Sequence, residues 1–183
     1  MNNNTIKELI QFYGQKYHVS DVVFELYHPV DRDLEAEWIK EFKDKVTECS
    51  FTPSVKTARY DESPLSEVTI SCVDSMRSRR SNWTAVNQHS EVYLYIDARM
   101  GLETLAVHTV RPYLQQDVTR YAQSLHSDSA SLQEPCTART ICYTPLMASS
   151  LICNLVKRYV NDEVLPGRIV FDLVTLTLML PQF

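Results

Sequence analysis

Two apolar runs constrain this chain more than any other feature: VTISCV at residues 68–73 and VYLYI at residues 92–96, each closed by an aspartate. Each is of strand length and reads as a continuous apolar run, as expected for a strand covered on both faces in a parallel sheet. Between them, residues 75–89 are helix-compatible, so the stretch predicts a strand–helix–strand unit of an α/β fold. Asp74 and Asp97 then fall at the C-terminal tips of buried strands, where open α/β sheets place ligand-handling groups. Asp74 is followed at once by Arg77, Arg79 and Arg80 among serines.

The rest of the chain fits around that unit. Thr5 can cap a helix over residues 5–13, with Glu8 at capping-box spacing and Ile6, Leu9, Ile10 and Tyr13 on one face. Residues 19–26 (VSDVVFEL) read as a strand ended before Pro29, and residues 33–48 as an amphipathic helix on Leu34, Trp38, Phe42 and Val46. Residues 51–58 predict a short strand, and the alternation of ETLAVHTV an antiparallel one over 103–110. After a serine-rich loop at 124–133, residues 145–159 form a helix that is apolar almost all round, expected inside the domain or at a dimer interface. Two short strands close the chain at 169–180. The sum is one α/β domain over residues 1–183: a mixed, mainly parallel Rossmann-like sheet flanked by helices, with late antiparallel strands.

Composition excludes several function classes. A formal net charge of −5 argues against non-specific nucleic-acid binding, which needs an excess of Lys and Arg. No apolar run reaches the ~20 residues of a membrane span, and the start MNNNTIKELI has no secretory pattern. Five cysteines, an odd number without a Cys-x-x-Cys pair, favour neither a disulfide framework nor structural zinc, and fit a cytoplasmic protein. There are only three glycines, Gly14, Gly101 and Gly167, too far apart for a glycine-rich phosphate loop.

Each chemically suggestive residue has two readings. Asp74 and Asp97 can converge on Mg²⁺ or a phosphate-bearing ligand, or simply cap the turns that follow. Arg77 and Arg79 can meet an anion, or form a solvated helix face. Cys136, in the polar loop QEPCTART beside Arg139, has a setting that favours thiolate, against an unreactive loop thiol. Cys72, Cys142 and Cys153 lie in apolar segments and read as packing, as do Tyr93 and Tyr95. His108 alternates with apolar neighbours, and the histidines show no metal-ligand spacing.

The succession CVDSMRSRRSNW, YLYIDARMGLETLAVHTV, Tyr121 and EPCTARTICYTPLMASSLICNLVKRYV resembles the second half of the ThiF/MoeB/E1 adenylation domain, from about Thr69 to Leu180. That family activates the C-terminal carboxylate of ubiquitin-like or sulfur-carrier proteins with ATP. The resemblance implies that Asp74 binds Mg²⁺ near the ATP phosphates, with Arg77 and Asp97 on the cofactor side. It gives Arg79 the role of neutralising developing charge and Cys136 that of capturing the activated carrier. It also implies homo- or heterodimerisation. The family's glycine-rich turn has no counterpart here, and Tyr27-His28 stand where an acid should grip ribose. The expectation is therefore a shortened relative, incomplete on its own. Its alternative is a non-catalytic interaction module that pairs with a homologue or binds the carrier.

Overall fold

The structure, a computed structural model, describes residues 24–27, 53–56, 60, 64–126 and 142–180. The helices expected at 5–13 and 33–48, and Cys136, lie outside the described residues. The chain divides into two compact units, Met1–Ser63 and Pro64–Phe183. In the first, β1 (Phe24–Tyr27) and β2 (Pro53–Lys56) pair in parallel, Phe24 opposite Pro53.

The second unit holds a five-stranded sheet in the order β3-β4-β5-β6-β7. Its strands are β3 (Val68–Ser71), β4 (Leu94–Met100), β5 (Thr104–Val110), β6 (Arg168–Asp172) and β7 (Thr177–Met179). The expected strand–helix–strand unit is present: β3 and β4 run parallel, joined through helix α1 (Met76–Gln88). Helix α2 (Gln115–Gln123) follows β5, and helix α3 (Tyr143–Val160) precedes β6. The fold is α/β, a mixed sheet with flanking helices and late antiparallel strands, as the pattern of elements predicts. Its balance differs from the expected one: β3–β4 is the one parallel pairing in this sheet, and the other three are antiparallel. The cause lies in β4. The strand does not stop at Ile96 but runs on to Met100 and turns back at once, with the Gly101 amide donating to the Thr104 carbonyl at 2.8 Å. A connection that short can only join antiparallel strands.

Strand alternation sorts the sheet residues onto two faces. Leu94, Ile96 and Ala98 of β4, Leu105 and Val107 of β5 and Ile169 of β6 form a buried layer with Ala148 and Leu155 of α3. Helix α3 is one-sided rather than apolar all round in its contacts. Met147, Leu151, Ile152, Val156 and Tyr159 pack on that layer, while Leu146 is exposed. The opposite face carries Tyr95 and Val110, which pack with Trp83 and Val86 of α1, Val92, and Tyr121 of α2. Between Tyr95 and Met100 on this second face stand Asp97 and Arg99, and opposite Asp97 across the strand pair stands His108. A polar stripe therefore lies under two helices, and its hydrogen bonds decide what the site can do.

Candidate functional site

Asp97 is the centre of that stripe. Its side chain is completely buried, in the middle of β4 rather than at a strand tip. Arg79 Nε donates to Oδ1 at 3.1 Å and Arg99 Nε to Oδ2 at 2.7 Å, while the Tyr121 hydroxyl donates to Oδ2 at 3.0 Å. Arg79 also donates to the Ala98 carbonyl at 3.0 Å. One carboxylate thus ties α1, β4 and α2 together. Arg99 extends the tie to the end of α2, donating to the Ser124 carbonyl at 2.9 Å and to its hydroxyl at 2.8 Å, and its guanidinium lies 5.3 Å from the centre of the Tyr121 ring.

Rings complete the cluster. Tyr121 meets Trp83 at 4.8 Å, Tyr95 edge-on at 5.5 Å and His108 edge-on at 5.7 Å, distances typical of favourable aromatic contact. Burial first, and then Asp97, push the Tyr95 phenol up to about 12. Burial and the neighbouring Tyr95 and Asp97 hold Tyr121 well above its ordinary value, so its hydroxyl serves as a donor. His108 is driven the other way, down to about 3, first by burial and then by Arg99, Arg168, Arg120 and Arg79. It is a neutral imidazole among guanidiniums.

A second buried acid, Asp117, fixes the start of α2. Arg111 donates to Oδ2 from Nε at 2.7 Å and from its amide at 3.2 Å, and Arg120 Nη2 lies 2.8 Å from Oδ1. Burial alone would raise this carboxyl, but the bonds from Arg111 and the charges of Arg111 and Arg120 outweigh it and hold it below its ordinary value. Beyond these two networks, the outer face of α2 and the strands β5 and β6 border an open cleft of about 500 Å³.

The sequence-predicted residues separate in this structure. Arg79 and Asp97 come together, but on each other. Asp74 is exposed in the loop between β3 and α1, and it is not the helix cap: Ser75 is, its hydroxyl accepting from the Ser78 amide at 3.2 Å. Arg77 points out on the exposed side of α1. Cys72, Cys142 and Cys153, expected in the packing, are all exposed. Cys72 follows the last residue of β3, where the strand has already left its neighbour, and the other two lie at the start of α3 and on its outer side. Tyr93 is half exposed, one residue before β4, whereas Tyr95 is core. The residues of these networks and of the cleft that sequence reasoning did not single out are Arg99, Asp117, Arg120 and Arg168. Only the acid-and-base alternation of IDARM hinted at any of them.

Both oxygens of Asp97 are occupied by Arg79, Arg99 and Tyr121. Among the described residues, no group of three His, Cys, Asp or Glu side chains could hold a metal ion. None of their helices is long and apolar enough to cross a membrane.

No family model and no curated protein matches the chain. Among solved structures, it is similar to a chain described as a heterocyclase in complex with substrate and cofactor, with 13% identity and a TM-score of 0.43. The match covers 85% of this chain and 23% of that one. The chain therefore spans about a quarter of that neighbour's length.

Proposed function

We propose that the chain is a non-catalytic interaction module of ThiF/E1-like build, related to proteins that adenylate the C-terminal carboxylate of a ubiquitin-like or sulfur-carrier protein. Its partner is a carrier of that kind or a homologue with which it dimerises. One observation carries the reading: Arg79, the residue cast as the charge neutraliser, is buried and committed to Asp97 and the Ala98 carbonyl. A guanidinium used that way cannot also meet a triphosphate, because turning it outward would leave Asp97 buried with one of its three donors gone and Oδ1 bare, at a cost of several kcal/mol. The corner that the resemblance would give to nucleotide chemistry serves in this reading to lock helices onto the sheet.

The test is nucleotide binding and turnover by the full chain. With Mg-ATP at millimolar concentration and candidate carriers present, no pyrophosphate is released and the unfolding midpoint does not move beyond what the same ionic strength of sodium chloride produces. Pyrophosphate release that is lost in Asp74→Ala would overturn the module reading and restore adenylation.

A further inference from the structure

We infer that the cleft between α2 and strands β5 and β6 is an oxyanion site, in which Arg168 and Arg120 grip a carboxylate or phosphate group of a small polar ligand. The inference goes beyond the module reading and does not depend on it.

Charge is the first ground. On this side of the sheet five guanidiniums share two carboxylates: Arg79 and Arg99 divide Asp97, Arg111 and Arg120 divide Asp117, and no described carboxylate pairs with Arg168. This surplus of positive charge sits in a chain whose formal net charge is −5. It converges on a concave surface lined by Arg120 and Arg168 with His108, Gln116, Thr119 and Gln123, where no acid lines the wall. A concave site lined by one sign of charge raises the local concentration of the opposite sign.

Unsatisfied donors are the second ground. The Nε of Arg168 is buried and has no hydrogen-bond partner among the described residues. Buried N–H groups without an acceptor are uncommon in folded proteins, and one beside a cleft calls for a ligand or water to accept from it. Arg120 commits Nη2 to the Thr109 carbonyl at 3.2 Å and to Asp117, with its other guanidinium nitrogens bonded to no described residue. Guanidinium forks match the geometry of carboxylate and phosphate oxygens.

Construction is the third ground. Gly167 directly precedes Arg168, and a Cβ built on it would stand 2.4 Å from Cζ of Arg120. One of the chain's three glycines is thus what lets that guanidinium lie against the start of β6, next to Arg168. His108, opposite Arg168 in the β5–β6 register, adds a neutral imidazole rather than a third charge to the wall. The Asp97 and Asp117 networks hold α2 in place from beneath, so the lining is pre-formed. A volume of about 500 Å³ is in the range of small-molecule sites.

The experiment titrates the full chain with inorganic phosphate in one arm and acetate in the other, with sodium chloride at matched ionic strength as reference. It follows the unfolding midpoint and the arginine Nε–H resonances. At a tenfold excess over Kd, the effective anion raises the midpoint by roughly 3–6 °C and shifts the Arg168 Nε–H resonance. Whichever arm responds identifies the group. Arg168→Gln weakens binding at least tenfold, and Gly167→Ala, which displaces Arg120, weakens it while leaving Arg168 in the chain. Arg77→Gln, on the outer side of α1, binds as the wild type does. No response to either anion beyond that to chloride, or equal binding by Arg168→Gln and Gly167→Ala, overturns the site. Should Arg168→Gln fail to fold, the wild-type Nε–H spectrum and Gly167→Ala still decide. Pyrophosphate release would sink the module reading alone, and a silent cleft would sink the oxyanion site alone.

Discussion

Asp97 holds two guanidiniums and a phenol on one buried carboxylate. Removing its charge while keeping its shape leaves Arg79 and Arg99 buried and uncompensated, so Asp97→Asn should destabilise the protein by about 3–5 kcal/mol. Asp74→Ala, at an exposed loop position, should stay within about 0.5 kcal/mol of the wild type. Urea unfolding at neutral pH checks both, and comparable losses for the two would contradict the roles assigned to them. His108 gives a pH dependence of definite sign. The unfolded chain binds a proton near the ordinary imidazole value of ~6.5, whereas the folded one refuses it until about 3. The stability is fully present above the unfolded value and is lost as pH falls toward the folded one, by at most about 1.4 kcal/mol per pH unit for one proton. His108→Gln should flatten the stability profile between about pH 6.5 and pH 5. A variant that loses stability on acidification as steeply as the wild type would show that His108 is not the group responsible. Little of this was legible at residue level. A hydrophobic run signals burial, but Asp97 is buried because its partners arrive from residues 79, 99 and 121, two of them on other elements.

At the scale of elements, what the sequence encodes locally is what it predicts well. Helix α1 was legible as helix-compatible sequence over residues 75–89, but its cap was not, since Ser75 rather than Asp74 takes that place. Strand β5 was legible from its alternation, and helix α3 from its apolar content. The end of β4 was not, since Asp-Ala-Arg-Met reads as a turn until Asp97 and Arg99 are seen to share one face and their ion pairs. The outward-facing cysteines went unread because an apolar neighbourhood in sequence does not say which side of a helix a residue takes. The β6–β7 hairpin offers an element-level prediction. Asp172 Oδ1 accepts from the amides of Val174 at 2.9 Å and Thr175 at 3.2 Å, which bends the chain, and Leu176 closes the turn with φ of 54°. A leucine in the left-handed region is strained, and its side chain here is mostly exposed. Leu176→Gly should raise stability by up to about 1 kcal/mol, less what the added freedom of the unfolded chain takes back. A loss of more than that in thermal unfolding would mean that the Leu176 side chain has a packing role that its exposure conceals.

Over the whole molecule, the described cores belong to one unit. The layer beneath α3 and the layer beneath α1 and α2 are both built from residues between Leu65 and Phe171. The Asp97 and Asp117 networks likewise close within residues 79–124. A segment of roughly 120 residues, Pro64–Phe183, lies in the size range in which a single chain buries enough surface to fold alone. Residues 64–183 produced as a separate chain should therefore unfold in one cooperative transition, with Trp83 fluorescence and far-UV circular dichroism changing together. The same fragment should keep the anion response of the α2 cleft, since every residue assigned to it lies inside these bounds. Non-coincident transitions, or a fragment that binds hydrophobic dye and lacks near-ultraviolet dichroism, would show that the sheet needs residues 1–63 to reach its packed state.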